Sequence, residues 1–238
     1  MILFRIKPFQ GFRGRGQSPR CLGFRISPSL LSTFVARGMD KMSSMRQKWQ
    51  YKSTGIPDNL FSRSKAGLTR EEIRSIVVSK ARIRGNERIL DVGAGSGSVS
   101  IEFAWLGCDV TAVEKDEENF ETARKNIEKF GLKDKIELIS GEMEHVNLSD
   151  SFDVFFFGGT DNLEKSFENV FKHLKTGGRV IIAAVRLETV VEAMGVLKDR
   201  GINPEVLNIC LNKGKDLGGK TALAPSYPVF LIYGDKEK

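Results

Sequence analysis

Three glycines at alternating positions, Gly93, Gly95 and Gly97, follow a short apolar run that stops at Asp91 in the stretch ERILDVGAGSGSVSIEF. Glycine at such spacing permits a tight turn, bares backbone N–H groups and lets a ligand press against the main chain. Placed between a strand and a helix, Gly93-Ala94-Gly95-Ser96-Gly97 is a candidate ligand cradle. The spacing excludes two common occupants. The dinucleotide fingerprint has its third glycine one position later, where this chain carries Ser98, and a phosphate loop needs a following Gly-Lys-Ser/Thr that is absent. Two further positions complete the set. Glu114 ends the next apolar run, where a carboxylate can accept hydrogen bonds from both hydroxyls of a ribose, and Gly141-Glu142-Met143 follows the run after it, pairing an acid with an apolar wall suited to adenine. Each feature alone has a plainer reading, a turn glycine or a solvated strand-end acid. Their conjunction points to a nucleoside-bearing ligand.

Other chemistries find little support. Cys21, Cys108 and Cys210 are odd in number and lack CxxC spacing, which reads as free thiols in a reducing compartment, the cytoplasm, with no zinc site. His145 and His173 stand alone, so no metal site is expected and no catalytic triad is visible. No apolar run approaches the roughly 20 residues that span a bilayer, and no membrane association is expected.

The elements that must position these residues follow from periodicity. A capping box, Thr69-Arg70-Glu71-Glu72, opens a helix to about residue 81. A strand over 88–92, a helix over 99–106, a strand over 109–113 and a helix over 116–130 follow, the last stopped by Gly131. Strands are expected over 135–140 and 152–157, a helix over 163–174, a strand over 179–185, a helix over 188–200, and late strands over 205–210 and 229–233. The alternation predicts an α/β fold with a mostly parallel, seven-stranded, doubly wound sheet covered on both faces. The last strand, in the PSYPVFLIYG ending, is expected to insert antiparallel at one edge, where it would serve subunit contact.

Charge separates the chain into two parts. Of the net +7, residues 1–40 hold +6, from seven Lys/Arg against the single acid Asp40. From Gly55 onward the net charge is −3. A near-neutral body disfavours a broad surface that tracks a phosphate backbone, so no nucleic acid partner is expected. Residues 1–45, rich in Arg, Ser, Gly and Phe, suit a transit peptide, a basic arm, or an upstream extension with Met39, Met42 or Met45 as the true start. The third is expected, with this extension disordered and residues 46–238 forming one domain.

From about Gly55 to its end the chain resembles the class I S-adenosyl-L-methionine-dependent methyltransferases. The resemblance implies that Gly93, Ala94, Gly95, Ser96 and Gly97 cradle the methionine part of the cofactor, Glu114 the ribose and Met143 the adenine. After the fourth strand the chain has Gly158-Gly159-Thr160 in place of the Asn/Asp-Pro-Pro-aromatic clamp of base N-methylases. Gly55-Ile-Pro-Asp58, Gly67-Leu-Thr69, GGRVIIAAVRLET with Glu192-Ala193-Met194, and PVFLIYG are, more narrowly, similar to the cobalt-precorrin-6B C15-methyltransferase (decarboxylating) family. What this implies is methylation of C15 on a cobalt-precorrin or precorrin with loss of the ring C acetate carboxyl, a homotetramer, and a cofactor contact from Thr69. Two loops depart from that family: Asp161-Asn162 stands where a second glycine pair is common, and Tyr227-Pro228 where Asn-Pro is common.

A polycarboxylate acceptor needs cations but no dedicated base. Arg186, Lys213, Lys215 and Lys220, near strand ends or in the late glycine-rich loop, are the candidates, with Gly158 and Gly159 beside them; no catalytic residue is assigned. The alternatives are a tRNA ring-nitrogen methyltransferase gripping phosphate with its basic arm, and a basic RNA-binding protein with an inactive body.

Overall fold

The computed structural model describes residues 49–159 and 161–237, so the expectations for residues 1–45 lie outside it. Helices α1 (Glu71–Ala81), α2 (Ser98–Trp105), α3 (Glu117–Phe130), α4 (Leu163–Val170) and α5 (Leu187–Lys198) alternate with strands β1 (Arg88–Val92), β2 (Asp109–Glu114), β3 (Ile136–Ser140), β4 (Phe152–Phe157) and β5 (Leu174–Ala184). Four strands end the chain: β6 (Glu205–Ile209), β7 (Asn212–Asp216), β8 (Thr221–Pro225) and β9 (Val229–Asp235). Seven of the nine form one sheet in the order β3-β2-β1-β4-β5-β9-β6. β9 runs antiparallel to both of its neighbours, and the other pairings in the sheet are parallel.

Alternating side chains sort the core onto two faces. Ile89, Phe156 and Ile181 pack with α1, α2 and α3 residues such as Val77, Phe103 and Ile127, while Leu90, Phe155, Phe157 and Ile182 pack with Phe167 of α4 and Ala193 of α5. Phe157, Phe167 and Phe171 form a stacked series with ring centroids 5.5 and 5.6 Å apart, each pair adding about 0.5–1.5 kcal/mol to its area burial. Burial on both faces is what a parallel sheet requires, and it explains why β4 reads as a continuous apolar run, Phe152–Phe157.

Four expectations are corrected. The last strand is not at an edge: β9 lies between β5 and β6, leaving β6 as the edge on that side. The capping box at Thr69 is not formed. Arg70 is the N-cap of α1 without a side-chain bond, the Thr69 carbonyl is taken by Arg74 Nη1, and Glu72 is drawn to Lys213 instead. The late glycine- and lysine-rich loop is a two-stranded hairpin, β7 with β8. α4 also stops at Val170, because a 3-10 turn over Phe171–His173 leads directly into β5, which begins upstream of Gly177-Gly178. By contrast α3 is bounded as its sequence demands. Asp116 accepts a hydrogen bond from the Asn119 N–H, and Gly131 closes the helix at φ 70°.

Candidate active site

Strand register brings the candidate residues level. Val92 pairs with Val113 on one side and Phe157 on the other, so Gly93, Glu114 and Gly158 emerge together at the C-terminal end of the sheet. Glu114 pairs in turn with Ser140, which sets Gly141 at the same level. The chain winds outward from β1 through β2 to β3 and returns to β4 beside β1. The β1/β4 junction is therefore the switch point where doubly wound folds open a crevice. A cavity of about 360 Å³ lies there, walled by Gly93, Gly95, Glu114, Met143, Gly158 and Gly159, among others.

The glycines differ in what they do. A Cβ on Gly93, at φ 75°, would come within 2.5 Å of the Gly159 backbone, so the β1 and β4 loops touch main chain to main chain. Gly158 and Gly159 N–H groups both donate to the Val92 carbonyl, at 2.9 and 3.1 Å. Gly95, at φ 57°, has open space where a Cβ would project, and is the place where a bare backbone leaves room for a ligand. Ala94, Ser96 and Gly97 shape the turn without lining the cavity. The Ala94 N–H donates to Val113, Gly97 donates to Ala94, and Gly97 abuts Ala123 of α3.

Glu114 is 5% exposed and carries two jobs. Oε2 accepts the Gly95 N–H at 2.7 Å and Oε1 accepts the Asp116 N–H at 2.9 Å, which fixes the loop. Each oxygen keeps a second lone pair for a donor arriving from the cavity. Met143, buried at the opposite wall, supplies the apolar surface. Behind the loop Asp91 is buried, with Oδ2 accepting the Ser100 hydroxyl and Oδ1 without a partner among the described residues. Burial, and secondarily the charge of Glu114, pushes its carboxyl up to about 7.

Sequence reasoning missed the device that closes one side of the cavity. Asn119 and Asn126 lie two turns apart on one face of α3. Asn126 donates to the Ser62 and Ser96 carbonyls, at 2.9 and 2.8 Å, and accepts the Ser62 N–H at 2.8 Å. Asn119 accepts the Ala66 N–H at 3.4 Å, and both Ala66 and Asn119 line the cavity. The segment before α1 is thereby tied to the glycine loop. Its start is held by buried Arg74, which bonds Glu102 at 3.0 Å and Asp58 at 2.8 Å, while Glu102 accepts the Ile56 and Gly55 N–H groups. The seven-residue spacing of two asparagines on a capped helix was the signal available. Thr69, three residues beyond Ala66, does not line the cavity.

The expected cations divide. Lys213 pairs with Glu72 at 2.6 Å and lies near Glu71 at 3.9 Å, which raises its pKa, and neither it nor Lys215 or Lys220 lines the cavity. Arg186 approaches Asp161, a cavity residue, at 3.9 Å. Lys115, which was not singled out from sequence, lines the wall, as does Asp161, noted there only as a departure from the family's second glycine pair. His145 is less isolated than its sequence context suggests, since its ring and the carboxylates of Glu142 and Glu144 lie within 4.8 Å of one another. Of the cysteines, burial and neighbouring Glu87 push the Cys108 thiol up to about 12, leaving it unreactive, and Cys210 is exposed. No described helix is long and apolar enough to cross a membrane.

Comparison with known proteins agrees with this arrangement. The profile of the precorrin methyltransferase domain matches residues 59–235. A Sulfolobus acidocaldarius protein described as a probable cobalt-precorrin-6B C(15)-methyltransferase (decarboxylating) is 38% identical over 77% of this chain and 98% of its own. Among solved structures, a precorrin-6y C5,15-methyltransferase from Geobacter metallireducens superposes with a TM-score of 0.71 at 29% identity, covering 77% of this chain and 98% of that one. A precorrin 8w decarboxylase from Methanobacterium thermoautotrophicum gives 0.70 at 30% identity, over 75% and 98%. With a profile match that takes in the glycine loop, both flanking strand ends and the closing antiparallel strand, this chain belongs to the precorrin methyltransferase domain family.

Proposed function

We propose that this protein methylates C15 of cobalt-precorrin-6B, or of precorrin-6B, with loss of the ring C acetate carboxyl as carbon dioxide, in anaerobic cobalamin biosynthesis. The observation that carries the reading is the 38% identity to a relative so described, over 98% of that relative's length. The donor is S-adenosyl-L-methionine, and the cavity fits it on two counts. Gly95 leaves a cradle that a Cβ would fill, and the lining carries Glu114, Asp116, Glu142 and Glu144 beyond the loose Asp161–Lys115 pair, Lys115 being the only cation among the described lining residues. That excess of negative charge suits a ligand bearing a sulfonium and an ammonium group.

When bound, the donor supplies a methyl group electrophilic enough for an electron-rich ring carbon to attack directly. The chain's own residues then have positioning work to do. Glu114 would accept ribose hydroxyls with the lone pairs left by Gly95 and Asp116, Met143 would pack against the base, and the backbone of Gly93 and Gly95, in the turn that Ala94, Ser96 and Gly97 shape, would hold the amino-acid end. Gly158 and Gly159 keep the junction of the β1 and β4 loops free of side chains, so an acceptor can approach. The segment tied down by Asn119 and Asn126 excludes water on one side. Thr69 is the proposed further contact on that side, and Arg186 and Lys215 the proposed cations for acceptor carboxylates, Lys213 being held by Glu72. Decarboxylation leaves its electron pair on the macrocycle, which acts as the sink. We further propose one catalytic domain over residues 46–238, acting as a cytoplasmic homotetramer without nucleic acid.

Incubation with labelled adenosylmethionine and cobalt-precorrin-6B tests this. The product should carry one added methyl and lack one carboxyl by mass spectrometry. No turnover, together with tRNA binding whose logarithmic affinity falls steeply with the logarithm of salt, would overturn the reading in favour of an RNA enzyme.

A further inference from the structure

One exposed carboxylate joins two strand ends at the cavity. Asp161, after β4, lies 3.6 Å from Lys115 Nζ, after β2, through Oδ2, and 3.9 Å from Arg186 Nη2, after β5, through Oδ1. Charge-assisted hydrogen bonds are shorter, about 2.7–2.9 Å. The three side chains are 71%, 47% and 64% exposed, so neither pair contributes much to stability. A loosely held carboxylate between two cations marks where a carboxylate is wanted more than it marks a structural bridge. The turn that presents Asp161 is completed by Asn162 in a left-handed conformation, at φ 53°, with its amide 3.5 Å from Glu144.

The surrounding charge makes this position distinctive. Glu142, Glu144 and Asp116 share the cavity wall and repel an anionic acceptor, and Lys115 is the only cation among the described lining residues. A polycarboxylate can approach this wall favourably only where Lys115 and Arg186 converge. We propose that Lys115 and Arg186 form a carboxylate subsite for the acceptor, and that Asp161 is an internal stand-in which an acceptor carboxylate displaces. The inference rests on the reading that the acceptor is a carboxylate-bearing tetrapyrrole.

The consequence is a pair of opposite signs. Removing the Asp161 charge frees both cations and tightens acceptor binding, whereas removing Arg186 or Lys115 weakens it. If Asp161 merely anchors a loop, Asp161→Asn and Arg186→Ala break the same bridge and act in the same direction. The octacarboxylate uroporphyrin I, followed by fluorescence, serves as a binding probe that needs no turnover. Its failure to report the subsite is therefore separable from a failure of wild-type protein to convert cobalt-precorrin-6B. We expect Asp161→Asn to bind the probe about threefold more tightly, and Arg186→Ala and Lys115→Ala about three- to tenfold more weakly, as befits partly exposed charge pairs. Adenosylmethionine affinity should stay within about twofold in Asp161→Asn and Arg186→Ala. Same-direction changes, or no change in any variant, would overturn the proposal. Opposite-signed shifts confined to adenosylmethionine would also overturn it, because they would assign the subsite to the donor.

Discussion

Asp91 can be tested with no ligand present. Its carboxyl is 1% exposed, one oxygen takes the Ser100 hydroxyl, and the other has no partner among the described residues. Burial is the larger cause that lifts its pKa from 3.8 to about 7, the nearby Glu114 charge adds to the rise, and Ser100 opposes it. Between those values the folded protein keeps a proton that the unfolded chain has released. Stability from this group is therefore whole below about pH 4 and is lost as pH rises through about 7. A separation of about three units, at 1.36 kcal/mol each, gives a full loss of ~4 kcal/mol, of which ~2–3 kcal/mol falls between pH 5 and pH 8. Asp91→Asn keeps the shape and an acceptor for Ser100 while removing the titration. Urea denaturation of both proteins across this range, without ligand, should show the variant gaining ~2–3 kcal/mol over wild type as pH rises. Glu102, whose pKa burial also raises, titrates in both proteins and cancels in the difference. Parallel pH profiles would refute the reasoning, since they would mean that Asp91 is charged throughout and stabilised by something other than Ser100.

Three further outcomes separate roles within the site. Glu114→Ala should weaken adenosylmethionine binding by about 1–3 kcal/mol in calorimetry, the range for losing hydrogen bonds to a charged group, and unchanged affinity would remove Glu114 from the ribose site. Gly93→Ala and Gly95→Ala share a left-handed backbone but not a neighbourhood. The first meets the Gly159 backbone at 2.5 Å and should lose more than about 2 kcal/mol of stability, while the second should lose only about 1 kcal/mol and instead lower donor affinity by filling the cradle. Equal melting temperatures for the two would contradict this division. Arg74→Ala leaves Glu102 buried without its ion partner and should cost about 3–5 kcal/mol in denaturant titrations, and a second change of Glu102 to Gln should recover part of it.

How much of this was legible in the sequence depends on the range of the interaction. The glycine loop, Glu114 and Met143 were readable as candidates because each ends or closely follows a strand, and parallel strands in register bring their ends to one level whatever the rest of the chain does. Helix α3 was readable because Asp116 and Gly131 act within a turn of their own backbone. Thr69 misled because its capping pattern is also local, but lost to a distant competitor. Buried Arg74 needs acceptors, and the Thr69 carbonyl supplies one, while Lys213 outbids the helix terminus for Glu72. The β7–β8 hairpin gave no alternation, since β7 is exposed throughout and β8 nearly so, and a strand without a buried face has no period-two signature.

The same distinction divides the two halves of the proposed chemistry. The proposed donor site depends on contiguous words at strand ends, so its candidate residues can be named before the fold is known. Acceptor binding depends on charges that only the tertiary structure pairs. Lys213 has the right charge and is spent on α1; Lys115 sits unremarked beside Glu114 until β4 carries Asp161 to it. A cation counts toward a carboxylate site only if it is not already neutralised by a strong internal partner. By that criterion the 2.6 Å pair removes Lys213, whereas the loose 3.6 and 3.9 Å contacts to a single exposed carboxylate leave Lys115 and Arg186 available.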